Sequence, residues 1–166
     1  MWISKAPVCA GYARRMKRLI IDLDETIALT APADVATPGV ATPGVATPGT
    51  ASPEPAPARY AHALPNLALI ARLREYRANG FDIVISTSRN MRTFDGNIGK
   101  INAHTLPAIL DWLDRHDVPF DEIYVGKPWC GLEGFYVDDK SIRPSEFLRY
   151  SLPAIHALLA AEKAGA

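Results

Sequence analysis

Two aspartates one residue apart, Asp22 and Asp24, close the short apolar run Leu19 to Ile21, and Thr26 follows two positions later. Carboxylates this close repel each other unless a cation joins them or one keeps its proton. Groups under such tension often carry nucleophilic, acid–base or metal chemistry. A plainer role is open to them as well, since acids after a strand cap helices and brace turns. Three further clusters carry polar chemistry: Ser86-Thr-Ser-Arg89, Gly126-Lys-Pro128 and the pair Asp138-Asp139. Taken singly, Thr87 reads as a helix cap, Lys127 as a solvated lysine and Asp138-Asp139 as a turn.

What distinguishes the four clusters is where they fall along the chain. An Ile-rich run such as Leu19–Ile21 reads as a buried strand. Phe81-Asp-Ile-Val-Ile-Ser86, Glu122-Ile-Tyr-Val-Gly126 and Gly134-Phe-Tyr-Val-Asp138 read as a second, third and fourth strand. Between them lie helical patterns. The first can begin at Pro65, carries the stripe Leu69, Ile70, Leu73 and Tyr76, and stops at Asn79-Gly80. The next carries Leu106, Ile109, Leu110 and Leu113, with Thr105 placed to cap it and Pro107 in its first turn. A last helix is expected from about Pro153 to Lys163. Strands alternating with helices imply right-handed crossovers and a parallel sheet covered on both faces, a three-layer α/β/α, Rossmann-like arrangement. Each strand then ends in one of the polar clusters. In a parallel sheet these ends converge on one edge, where open α/β sheets hold their ligands.

Bulk properties set wide bounds. At 166 residues one domain is expected. The formal net charge is zero, so bulk charge argues for neither a nucleic-acid nor a membrane surface. Cys9 and Cys130 form no metal-ligand spacing and no disulfide framework, which fits a reducing cytosol. No apolar run reaches membrane-spanning length, and the N-terminus lacks the long apolar stretch of a signal peptide. Residues 1–15 precede Met16 and read as a weakly ordered extension, leaving 16–166 as a single domain. Within it Val-Ala-Thr-Pro-Gly repeats at 35–39, 40–44 and 45–49, and a Pro- and Ala-rich tail runs to about Ala58. Proline removes donors and glycine raises chain entropy, so residues 31–58 read as an inserted loop, either a tolerated spacer or a lid.

The order DxDxT, hydroxyl, lysine, paired aspartates resembles the haloacid-dehalogenase superfamily of phosphotransferases, over roughly residues 17–150 with the repeat loop outside the likeness. More narrowly, Thr87-Ser-Arg-Asn-Met-Arg-Thr93, Asp95-Gly-Asn-Ile-Gly-Lys100, Phe120-Asp-Glu-Ile-Tyr-Val-Gly-Lys-Pro128 and Phe135-Tyr-Val-Asp-Asp-Lys140 are similar to small phosphatases of capsular-polysaccharide biosynthesis. The resemblance implies a Mg²⁺-dependent phosphomonoesterase. Asp22 would be the nucleophile that forms an aspartyl-phosphate, and Asp24 the acid and base. Thr87 would hold a phosphoryl oxygen and Lys127 would neutralise charge. Mg²⁺, which prefers oxygen ligands, would be held by Asp22, Asp138 and the backbone carbonyl of Asp24, with Asp139 orienting the metal shell or Lys127.

The chain leaves no room for a folded cap domain, since the space between Asp24 and Thr87 is mostly the repeat loop and one helix. An open site suits a large substrate or a partner subunit, and a homo-oligomer is compatible with small capless relatives. The expected substrate is a sugar phosphate or related small metabolite of surface-polysaccharide assembly. Arg89, Asn90 and Arg92 are candidates for reading it, with a solvated turn as their plainer role; Tyr60 and His62 could also face the site, and Trp129 could stack on a sugar ring. Two other functions stay open. One is a capless phosphoprotein phosphatase, which Asp22-Leu-Asp-Glu-Thr26 also resembles; the other is an idle binding subunit on the same fold.

Overall fold

The computed structural model describes residues 17–30 and 63–165. The elements run β1 (Arg18–Ile21), β2 (Ala28–Leu29), β3 (Leu64–Pro65), α1 (Leu67–Ala78), β4 (Asp82–Thr87), α2 (Ile98–His104), α3 (Leu106–Arg115), β5 (Glu122–Val125), α4 (Pro144–Arg149) and α5 (Leu152–Gly165). Strands β1, β4 and β5 form a three-stranded sheet in the order β1-β4-β5, with both pairings parallel. It is a mixed α/β fold, a parallel sheet flanked by helices.

Register assigns the side chains to faces, because successive residues of a strand point to opposite sides. Leu19 and Ile21 pair with Ile83 and Ile85, and Ile85 and Thr87 pair with Ile123 and Val125. These aliphatic residues join Leu69, Ile70, Leu73 and Tyr76 of α1 and Ile109, Trp112 and Leu113 of α3 in one core. The stripe expected for α1 is buried at all four positions. In α3 the buried positions are Ile109, Trp112 and Leu113, while Leu110 is exposed. Trp112 is tied down by its indole N–H, which donates to the Ala63 carbonyl at 3.0 Å. The opposite face of the sheet carries Arg18, Ile20, Val84, Ser86, Glu122 and Tyr124. There Ile20 is 65% exposed and Tyr124 is also exposed.

A small antiparallel ladder, β2 with β3, brackets the inserted segment. Asn66 locks this junction. Its side-chain oxygen accepts the Leu69 N–H at 3.2 Å and caps α1, and its amide donates to the Thr26 carbonyl at 3.1 Å. The repeats at 35–49, the rest of 31–58, Tyr60, His62 and residues 1–15 lie outside the described residues.

The sheet differs from expectation in one respect. Gly134–Asp138 forms no strand in the single chain, and Phe135 and Val137 are 80% and 87% exposed. The physical reason is the connection. Only Gly126 to Glu133 separate β5 from this segment, whereas a parallel return takes about a dozen residues or more. Those residues are folded up as well. Residues 131–133 form a turn, with Gly131 at φ +83°. A Cβ on Gly134 would stand 2.1 Å from the Cys130 carbonyl oxygen, so the chain doubles back tightly there.

Candidate active site

The parallel sheet brings Asp22, Thr87 and Lys127 together, each at or just beyond the carboxyl end of its strand. The Lys127 backbone N–H donates to the Thr87 carbonyl at 3.1 Å, which fixes the lysine beside the central strand. Its ammonium reaches back to Asp22, with Nζ 3.3 Å from Oδ1. Gly126 makes this approach feasible: it adopts φ +90°, and a Cβ there would meet Ile98 Cδ1 at 2.4 Å. Burial raises the Asp22 carboxyl above the ordinary carboxylate range, and Lys127 opposes that shift without cancelling it.

Asp24 is held differently. It sits in the turn that follows β1, where the Ile27 and Ala28 N–H groups both donate to the Leu23 carbonyl, at 2.9 and 2.8 Å. The Arg89 guanidinium grips its carboxylate from the loop after β4. Nε lies 3.0 and 3.2 Å from the two oxygens, and a second nitrogen also bonds Oδ1. The Arg89 side chain is only 2% exposed. Instead of projecting outward to read a substrate, Arg89 is a buried clamp on Asp24. Thr87 is buried too; its hydroxyl oxygen accepts the Arg89 N–H at 3.0 Å, which shapes the loop and leaves the hydroxyl proton available for another acceptor.

The other candidates divide. Asn90 adopts φ +63° and its buried amide donates to the Thr105 hydroxyl at 2.8 Å, so it braces α3 instead of facing a substrate. Thr105 thus serves as a partner for Asn90 and makes no side-chain cap bond to α3. Arg92 is exposed, and its guanidinium lies 5.6 Å from the Trp129 ring centroid, forming a cation–π ledge beside the lysine loop. Asp138 and Asp139 are exposed; Asp138 accepts the Lys140 N–H at 2.7 Å in a local turn. Among the described residues no three acids, cysteines or histidines converge in a way that could hold a metal. As the single chain places them, Asp22 pairs with Lys127 and Asp24 with Arg89.

Tyr136 was not among the candidates. Its ring lies over the Lys127 ammonium, 4.2 Å from the centroid, and its hydroxyl donates to the Pro128 carbonyl at 2.7 Å. Burial, then the neighbouring Cys130, raises its phenol above the usual value. In the sequence it reads as one residue of a strand, and only the tight loop at Cys130–Gly134 carries it back over the lysine. A groove of about 400 Å³ leaves the site along the open sheet face, from Lys127 past Tyr124 and Ser86 to Ile20 and Arg18. A larger hollow of about 500 Å³ lies at the opposite end of the sheet, where Arg74 and Arg77 are engaged by Asp117 and Asp121.

No family model matches the chain, and no curated protein matches it. Among solved structures it is similar to an MCSG structural-genomics target from Vibrio cholerae. The two are 49% identical with a TM-score of 0.69, and the match covers 89% of this chain and 99% of the other. Identity of this order over nearly the whole of both chains means that the protein belongs to the same family as that Vibrio cholerae protein.

Proposed function

We propose that the protein is a phosphomonoesterase of the haloacid-dehalogenase type, working through an aspartyl-phosphate on Asp22. The supporting observation is the pairing of a buried-shifted carboxylate with Lys127 at the carboxyl edge of a parallel sheet, with a second carboxylate two residues on. Lys127 supplies the positive charge that lets an anionic nucleophile meet a phosphate dianion. An Asp22 oxygen attacks phosphorus, the ester P–O bond breaks, and the leaving alkoxide takes a proton. Water then attacks the same phosphorus, its proton goes to a base, and the bond to Asp22 breaks.

In this reading Asp24 moves both protons. Arg89 holds it in position, and it can serve the leaving group only by exchanging one of its Arg89 bonds for that oxygen. Thr87 has a hydroxyl proton to offer a phosphoryl oxygen. The Arg92–Trp129 ledge and the groove toward Tyr124 suit an extended, polar substrate such as a sugar phosphate of surface-polysaccharide assembly. Mg²⁺ belongs to the proposal as a cofactor, with no step assigned to it. No described helix is long and apolar enough to cross a membrane.

Phosphate release from p-nitrophenyl phosphate, with and without Mg²⁺, tests the reaction. A panel of sugar phosphates against phosphoserine peptides tests the substrate class. Preference for the peptides would favour the phosphoprotein phosphatase, and no hydrolysis of any member would leave the binding subunit.

A further inference from the structure

We infer that a second copy of this chain docks on the outer edge of β1 by donating its own residues Gly134–Asp138 as a parallel strand, in a reciprocal exchange that completes each site. The part of this inference that concerns the site rests on the phosphatase reading above; the interface does not.

Three observations meet here. First, β1 is an edge strand: among the described strands only β4 pairs with it. An unpaired edge is a template for another strand. Second, the chain carries a strand-forming segment that pairs with no described strand. Phe135 and Val137 are 80% and 87% exposed, and Leu132 just before them is 85% exposed. Third, the chain cannot readily join the two within itself. Eight residues, Gly126 to Glu133, would have to cross the whole sheet from β5 and return to its lower end, against the dozen or more that parallel returns use. A second molecule removes that constraint.

The register is chemically consistent. With Asp138 set level with Asp22, Val137 falls beside Ile21 and Phe135 beside Leu19. Both then point to the helix-covered face where Leu19 and Ile21 already join the core. Tyr136 falls beside Ile20 and covers that exposed residue on the open face. The acidic end, Asp138-Asp139, arrives beside the Asp22–Lys127 and Asp24–Arg89 pairs. The same movement lifts Tyr136 of each chain off its own Lys127 and frees that ammonium for a phosphate. It also brings a third carboxylate, Asp138 of the partner subunit, to Asp22 and Asp24, the set that the single chain does not assemble. An aromatic side chain buries about 150–250 Å², so two arms and their receiving strands enclose on the order of 1,500 Å², the size of a stable interface.

Sedimentation of the full chain tests the interface. The expected result is a dimer or a multiple of one for the wild type, and a monomer with an unchanged circular-dichroism spectrum for Phe135→Asp. A monomeric wild type at all concentrations overturns the inference, as does an assembly indifferent to Phe135→Asp. Co-expression of differently tagged Asp22→Asn and Asp138→Asn chains tests the shared site, using p-nitrophenyl phosphate and Mg²⁺. Each homodimer should be inactive. The isolated heterodimer holds one site with both acids and should recover about half of wild-type activity. An inactive heterodimer from an active wild-type enzyme overturns the exchange of Asp138. A wild type without phosphatase activity overturns the reaction proposed above, and sedimentation then decides the exchange by itself.

Discussion

Asp22 carries the sharpest residue-scale expectations. Asp22→Asn should abolish turnover while the protein stays folded, because an amide is too poor a nucleophile to replace the carboxylate; near-normal turnover of a deamidation-free sample would remove Asp22 from that role. Its carboxyl lies above the ordinary range because burial outweighs the attraction of Lys127. Between the unfolded and the raised folded value, the folded state keeps a proton that the unfolded chain has lost, so stability falls as pH rises through that window. Asp22→Asn has no such proton to lose. It should therefore melt higher than wild type at neutral pH, with the advantage vanishing below the ordinary carboxylate range, and melting scans across pH would show it. On the phosphatase reading the same shift puts the acid limb of kcat/KM above that range, because only ionised Asp22 would attack. Asp24→Asn should lower kcat by about 10²–10⁴-fold and allow phospho-enzyme to accumulate, as loss of a proton donor and acceptor does. Arg89→Met removes charge-assisted bonds and should cost about 2 kcal/mol in denaturant unfolding. A neutral result would mean that water replaces the clamp on Asp24.

At the scale of elements, the readable parts of the sequence were those governed by period and by strand composition. The stripe of α1 and the strands at β1, β4 and β5 follow from side-chain alternation and 3.6-residue spacing, and the structure keeps them within a residue or two. Helices α2 and α4, 7 and 6 residues long, are too short to show a stripe. The β2–β3 ladder pairs residues separated by the insertion, which no local pattern reveals. The strand expected at Gly134–Asp138 has the right composition, but strand propensity says nothing about whether the connection can reach a partner edge. Within the site, position in the order of strands was legible and side-chain direction was not. Lys127 does reach Asp22, whereas Arg89 turns inward to Asp24 and Asn90 to Thr105. Both turns depend on loop backbone after β4, including Asn90 at positive φ. Asn66 gives an element-scale expectation, since it caps α1 and ties the helix to the turn behind Asp24. Asn66→Ala should cost about 1–2 kcal/mol in denaturant unfolding. Because the turn it braces holds Asp24, kcat should fall as well, and a fall in stability with kcat unchanged would separate the cap from the site.

For the whole molecule, the question is how a fold of this size tolerates a long repetitive insertion between the turn after β1 and helix α1. The insertion leaves after Thr30 and returns before Ala63, and the flanking β2–β3 ladder holds those two points together. Asn66 bridges the same junction by bonding Thr26. The core is assembled from residues on either side, from Ile21, Leu23 and Ile27 before it to Leu69 and Ile70 after it. With the ends fixed by the fold, loop length enters only through closure entropy, which changes by about 0.6 kcal/mol for each doubling. Replacing residues 35–49 by a few Gly and Ser residues should therefore leave the melting temperature nearly unchanged, or raise it slightly. A drop of more than a few degrees would show that the repeats bury apolar surface against the core. Activity separates the spacer from the lid. A spacer predicts unchanged kcat/KM on p-nitrophenyl phosphate and on sugar phosphates alike. A lid predicts that the small aryl ester is still hydrolysed while the sugar phosphates are lost, because only a large substrate draws on contacts from above the groove. Equal loss on both, with stability intact, would instead mean that the insertion holds the Asp22–Asp24 turn in its active shape, and the β2–β3 ladder would then be too weak to do so by itself.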